Sequence, residues 1–184
     1  MTPKRARKSK AATKAASKSA RKAAPKAAKS IEVMVQSPRW KKQPRAATIV
    51  RNAVQAAAKA TSTRAALAIV LTDDSAIRTL NRDWRGFDKP TNVLSFPAAK
   101  RRAGSDDASL GDVIIAFQTV AREAEDEGKT FKHHLAHLAV HGFLHLLGYD
   151  HEADRDARKM ERLEVAILAR LGMPDPYAEP NVRR

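Results

Sequence analysis

Three histidines set the chemistry open to this chain: His141, His145 and His151, in the stretch HGFLHLLGYDH. All six histidines, the others being His133, His134 and His137, fall between positions 133 and 151. His141 and His145 are four residues apart, so on a helix their rings share one face about one turn apart, the separation that two ligands of one tetrahedral ion require. Gly148 then permits the left-handed turn that ends a helix, and the chain doubles back to deliver His151. Three neutral imidazoles leave a fourth position open for water, the catalytic rather than the closed structural arrangement, and a single zinc ion is the expected occupant. The chain has no cysteine, so any metal must be held by nitrogen and oxygen. Disulfides and a thiolate nucleophile are excluded too, which fits a reducing cytoplasm.

The order H-x-x-x-H-x-x-G-x-x-H matches the ligand spacing of metzincin proteases, but those enzymes use a glutamate directly after the first histidine as their base. Here that residue is Gly142, which can neither take nor return a proton. A substrate whose hydrolysis relies on charge neutralisation suits such a site better than one whose leaving amine must be protonated, and a phosphodiester fits. Arg85 is the candidate second cation. It opens the polar loop RGFDKPTNVLSFP, stays charged at any working pH, and has a fork that matches phosphate oxygens, with capping of the preceding helix as its alternative role. Lys89 is a weaker candidate of the same kind. His137, one turn before His141, is either a partner that orients a ligand or a satisfied helix-face histidine. Asp150 and Glu152 flank His151 and either orient a ring nitrogen or remain surface carboxylates. His133 and His134 read as surface residues at a helix start.

The elements that must position these residues follow from periodicity. Ile31, Val33 and Val35 alternate with polar neighbours as a short strand with one face inward, stopped by Ser37 and Pro38. Ala46 to Ala60 reads as a helix with Ile49, Val50, Val54 and Ala57 on one face. Ala65 to Thr72 is a buried strand, and Asp74 or Ser75 caps a helix running to about Trp84. Asn92 to Phe96 is extended and ended by Pro97, Lys100 to Asp107 is a charged connection, and Leu110 to Phe117 is a buried strand. Helices over Val120 to Gly128, Thr130 to Leu147 and Ala153 to Leu171 finish the chain, the last with Met160, Leu163, Ile167, Leu168 and Leu171 on one stripe. The expected fold is α/β (α+β), with a catalytic domain over residues 31–178 and short tails at 1–30 and 179–184.

The charge is unevenly spread. Of the 35 Lys and Arg, eleven lie in residues 1–30, which hold no acid, leaving 24 basic against 20 acidic residues elsewhere. With no large apolar residue after Met1, this Lys/Ala-rich stretch cannot offset the entropy of ordering, and it reads as a disordered tail. A phosphate-neutralising arm, a solubilising extension and a targeting peptide compete to explain it; a secretory signal lacks its apolar core here. No apolar run approaches the length of a membrane span.

Together, HGFLHLLGYDH, NRDWRGFDKPTNVLSFP and SLGDVIIAF, in their relative positions in the chain, resemble the YbeY family of bacterial endoribonucleases over about Ile31 to Tyr177. The resemblance implies a sheet of about four strands packed with helices, zinc on His141, His145 and His151, and cleavage of single-stranded RNA. It further implies a role in maturing the 3′ end of small-subunit ribosomal RNA and in ribosome quality control, with the ribosome or small-subunit assembly proteins as partners. Arg85 stands where the family has a functionally important arginine. Ser95 and Asp112 also fall on motif positions and read mainly as supports for the site, Ser95 with Lys89 being also a candidate substrate contact. The basic tail departs from the family pattern. Two rivals remain: a peptidase or amidase using the same ligands, and a non-catalytic RNA-binding assembly factor with a structural metal.

Overall fold

A computed structural model describes residues 30–98, 109–151 and 153–178. The basic tail before Ser30, the Lys100 to Asp107 connection, Glu152 and residues 179–184 lie outside them.

Four strands, β1 (Ile31–Val35), β2 (Ala66–Thr72), β3 (Val93–Pro97) and β4 (Ser109–Ala116), form one sheet in the order β1-β2-β4-β3. β1, β2 and β4 are parallel, while β3 runs antiparallel to β4 at the edge. The helices are α1 (Ala46–Ala60), α2 (Asp74–Arg85), α3 (Phe117–Asp126), α4 (Phe131–Leu146) and α5 (Asp154–Arg170). The mixed α+β architecture expected from the sequence is therefore present.

Alternation along the strands divides the sheet into two faces. Val113 and Ile115 of β4 join Val50 and Val54 of α1, Leu135 and Phe143 of α4, and Ile167 of α5 in the main core. On the opposite face Ile114 and Phe96 pack with Leu94 and Ala116 against Ile77 and Leu80 of α2. Within α4 alone Leu135, Val140, Phe143 and Leu144 are fully buried, each worth roughly 1.5–3 kcal/mol relative to exposure. The histidine-bearing helix is thus fixed by its apolar side, and its other side is left for chemistry.

Several local expectations shift for identifiable reasons. The cap of α2 is Asp73, whose carboxylate accepts from the Ala76 amide at 3.1 Å. Asp74 is turned to α3 instead, accepting from the Thr119 amide and hydroxyl at 3.0 Å each. Arg85 is the last residue of α2, directly before the loop it was expected to open. Val35, expected to face inward, is 55% exposed at the outer end of the edge strand β1. A short 3-10 helix (Pro38–Lys42) follows β1 and buries Trp40, whose indole N–H donates to the Thr72 carbonyl at 2.7 Å.

Candidate metal centre

α4 is capped by Thr130, whose hydroxyl accepts from the His133 amide, and carries His137, His141 and His145 on one stripe at four-residue intervals. Its far end closes as the glycine spacing predicts. Gly148 has φ 83°, its amide donates to the His145 carbonyl at 2.9 Å, and the Tyr149 amide donates to the Leu144 carbonyl at 3.1 Å. This paired reversal is the Schellman arrangement. It turns the chain so that the His151 ring comes to 5.6 Å from His141 and 5.1 Å from His145, centroid to centroid.

One ligand atom from each of His141, His145 and His151 lies within 4.8 Å of the others. The Nε2 atoms of His141 and His145 are 3.0 Å apart. A tetrahedral ion about 2.0–2.1 Å from each nitrogen would hold two such atoms about 3.3 Å apart, so this pair is already gathered at ligand spacing. Burial first, and then the neighbouring His141 and His151, push the His145 imidazolium toward losing its proton, which favours the neutral form that can ligate. The residues present therefore fit a metal ion.

Behind His141 stands a residue that the sequence reading passed over. Glu164 of α5 is completely buried, and its Oε1 is 2.8 Å from His141 Nδ1. The other carboxylate oxygen lies 3.5 Å from His137 Nε2 and accepts a hydrogen bond from the Tyr177 hydroxyl. Burial alone would raise the Glu164 pKa, but the hydrogen bonds from His137, His141 and Tyr177 outweigh it and hold the group down at about 2. Burial and the same carboxylate raise the Tyr177 pKa, so its hydroxyl stays a donor. A carboxylate accepting from Nδ1 fixes the tautomer and leaves Nε2 as the ligating atom. The signal was available: Glu164 interrupts the apolar stripe midway between Met160 and Leu168, four residues from each.

At Gly142 helix and sheet approach closely. A Cβ there would lie 2.7 Å from Val113 Cγ1 and 3.1 Å from Ser95 Oγ. The Ser95 hydroxyl donates to the Gly142 carbonyl at 2.9 Å, so Ser95 ties β3 to α4 beside the first ligand. The missing glutamate thus has a packing cause as well as a chemical consequence, since this position faces the sheet.

The other predicted residues are distributed as follows. His137 joins the ligand set indirectly, through Glu164. Asp150 accepts from the His151 amide at 2.7 Å, which shapes the ligand's backbone rather than orienting its ring. Asp112 is exposed on the α2 face of β4, opposite to the side on which Val113 meets α4, so the strand alternation keeps it from the histidines. Arg85 and Lys89 are exposed at and after the end of α2, with the Lys89 carbonyl accepting from Asn81 Nδ2 at 2.8 Å. Neither side chain is in hydrogen-bonding contact with the triad. His134, read as a surface residue, is instead 5% exposed. Its Nε2 is 2.8 Å from Glu123, which also accepts from Asn92 at 2.9 Å and so joins α3, α4 and the start of β3. Burial raises the Glu123 pKa, but the His134 and Asn92 contacts prevail and lower it. A cavity of about 410 Å³, lined by Asn92, Glu123, His134, His137, His141 and Tyr177 among others, opens beside this network.

Fold and site together define a class: small α+β proteins with an open three-histidine centre, backed by a buried carboxylate and fit for a metal ion. Comparison with known proteins is specific. The family model of Endoribonuclease YbeY matches residues 9–172, and the chain belongs to the YbeY family of endoribonucleases. Endoribonuclease YbeY of Rhodopseudomonas palustris strain BisB18 is 56% identical over 156 residues, covering 82% of this chain and 93% of its own. The protein of the same name from Bradyrhizobium sp. strain BTAi1 is 54% identical over 155 residues, covering 80% and 92%. The solution structure of TM1509 from Thermotoga maritima covers 84% of this chain and 100% of its own, at a TM-score of 0.53 and 22% identity, a likeness of fold.

Proposed function

We propose that this chain is a zinc-dependent endoribonuclease that cuts single-stranded RNA, acting in the cytoplasm in 3′-end maturation of small-subunit ribosomal RNA and in ribosome quality control. The observation that carries the reading is the convergence of His141, His145 and His151 with Glu164 fixed behind the first of them. A zinc ion held by these three histidines would supply Lewis acidity at a phosphoryl oxygen.

The protein's own groups have distinct tasks in this account. Glu164 holds the His141 ring with Nε2 outward, and Tyr177 and His137 hold Glu164. Ser95 and Gly142 keep α4 on the sheet. Arg85 pairs with the non-bridging oxygens of the scissile phosphate, where a permanent, planar cation stabilises developing charge, and Lys89 adds a second positive charge to the same loop. Residues 31–178 form the catalytic domain. The tail over residues 1–30 adds affinity for RNA by counterion release, and the ribosome or small-subunit assembly proteins are the physiological partners. A peptidase on the same ligands would place its base at Gly142, where even a Cβ meets Val113.

The test is cleavage of an unstructured RNA by the purified chain and by Arg85→Ala, with metal content measured on both. The proposal expects the variant to keep its metal and fold and to lose turnover by at least about a hundredfold, the loss typical of removing one charge-stabilising group. A variant that cleaves normally would remove Arg85 from the mechanism, and cleavage of casein but not RNA by the parent chain would reverse the choice of substrate.

A further inference from the structure

Two neighbouring aromatic side chains at the end of α2 lie outside both cores. Trp84 is 73% exposed and Phe87 is 58% exposed, although burying either would stabilise the fold. Single exposed apolar residues need no explanation. These two, however, bracket Arg85 and Gly86 at the end of α2, and they stand on a fixed backbone. Arg78 forks onto Asp88 at 2.8 and 2.9 Å, and Asn81 holds the Lys89 carbonyl. The Trp84 ring meets the Phe96 ring edge-on, with centroids 5.8 Å apart, which restrains the indole while leaving most of it in solvent.

The charges around this pair are not balanced. Asp88 is taken by Arg78 and Asp83 by Arg82. Among the described residues Arg85 and Lys89 have no such carboxylate partner. Aromatic faces interleaved with uncompensated cations complement a polyanion that carries π-faces of its own, which describes an unpaired nucleic-acid strand. A duplex hides its base faces, and a protein partner would be expected to match the apolar surface without the cations.

Position strengthens the match. α2 lies on one face of the sheet and α4 on the other, and β3 is the edge strand between them. Phe96, which touches Trp84, is adjacent in β3 to Ser95, which touches Gly142 beside the first histidine ligand. A strand lying on Trp84 and Phe87 therefore has only one β-strand to pass around before reaching the histidines.

We propose that Trp84 and Phe87 form a stacking platform for unpaired bases of the RNA substrate, flanking the phosphate contact at Arg85. This rests on the reading that the chain acts on RNA, and deepens it by naming residues that select single strands.

The chain itself supplies a probe. It has two tryptophans, and Trp40 is 2% exposed, so a ligand-dependent change in tryptophan emission reports Trp84. Titration of the full chain with an unstructured adenine-rich 12-mer RNA is expected to quench that emission, and a duplex of the same length is not. Trp84→Leu and Phe87→Ala should each weaken binding of the 12-mer about tenfold, within the range for loss of one stacked base. Trp84→Tyr, which keeps a π-face, should retain most of the affinity, and thermal unfolding of all variants should stay near that of the parent because both residues are exposed. Normal binding and cleavage of the 12-mer by Trp84→Leu and Phe87→Ala together would overturn the platform, leave the RNA reading intact and mark the patch as a surface for a protein. Failure of the parent chain to bind or cleave any RNA would overturn both.

Discussion

His141 Nδ1 lies 2.8 Å from Oε1 of Glu164, a carboxylate with no exposure to solvent. That contact makes the histidine a directed ligand, because a ring whose Nδ1 donates to an anion presents its Nε2 lone pair outward. It predicts that Glu164→Gln, which keeps the shape and removes the charge, weakens metal binding about 10–100-fold. Chelator competition on the refolded variant measures this, and an unchanged dissociation constant would show that the carboxylate serves the fold alone.

The same group gives the metal-free protein a defined acid response. Glu164 has an ordinary value of 4.5 and is held at about 2 in the fold. Because the folded value is depressed, its stabilising contribution is complete above 4.5 and disappears as pH falls from there toward 2, with on the order of 3 kcal/mol at stake. Urea unfolding of parent and Glu164→Gln at pH 6, 5, 4 and 3 should show the parent's advantage shrinking below pH 4.5. An advantage that stays constant to pH 3 contradicts the assignment.

Gly142→Ala tests the close approach of helix and sheet. Alanine gains up to about 1 kcal/mol of helix propensity over glycine, but the added methyl at 2.7 Å from Val113 Cγ1 overpacks the contact at a cost of about 1–3 kcal/mol. We expect net destabilisation of about 1 kcal/mol in the parent background. In a Val113→Ala background the cost should shrink, because the nearest methyl is gone while Ser95 Oγ and Val93 Cγ2 remain at 3.1 and 3.3 Å. Equal effects in both backgrounds would mean that the contact is not limiting.

How much of this was legible beforehand depends on whether neighbours in space were neighbours in sequence. The triad and the Gly148 reversal lie within eleven consecutive residues at the end of α4, and α1 (Ala46–Ala60) follows directly from its composition. Glu164 shows in the sequence only as a break in an apolar stripe, and neither it nor Tyr177 is marked there as a partner of His141; the packing of α5 and the 173–178 segment against α4 brings them together. His134 was misjudged for the same reason, its partner Glu123 belonging to another helix. Asp112 shows the converse: a motif position that strand alternation turns to the far face.

The basic tail calls for a thermodynamic test. If its eleven cations contact RNA phosphates, deleting residues 2–30 should flatten the slope of log affinity against log salt by about 0.7 for each lost contact with single-stranded RNA. Metal content should be unaffected. A slope identical to that of the full chain would remove the tail from RNA binding.

The most direct measurement joins metal and activity on the same samples. Full-length parent and the His141→Ala, His145→Ala and His151→Ala variants are purified without added metal, analysed for bound zinc by mass spectrometry, and assayed for cleavage of unstructured RNA. The account predicts about one zinc per parent chain, a large loss of zinc in each variant, and a parallel loss of cleavage. Undiminished zinc and cleavage in the three variants would contradict it.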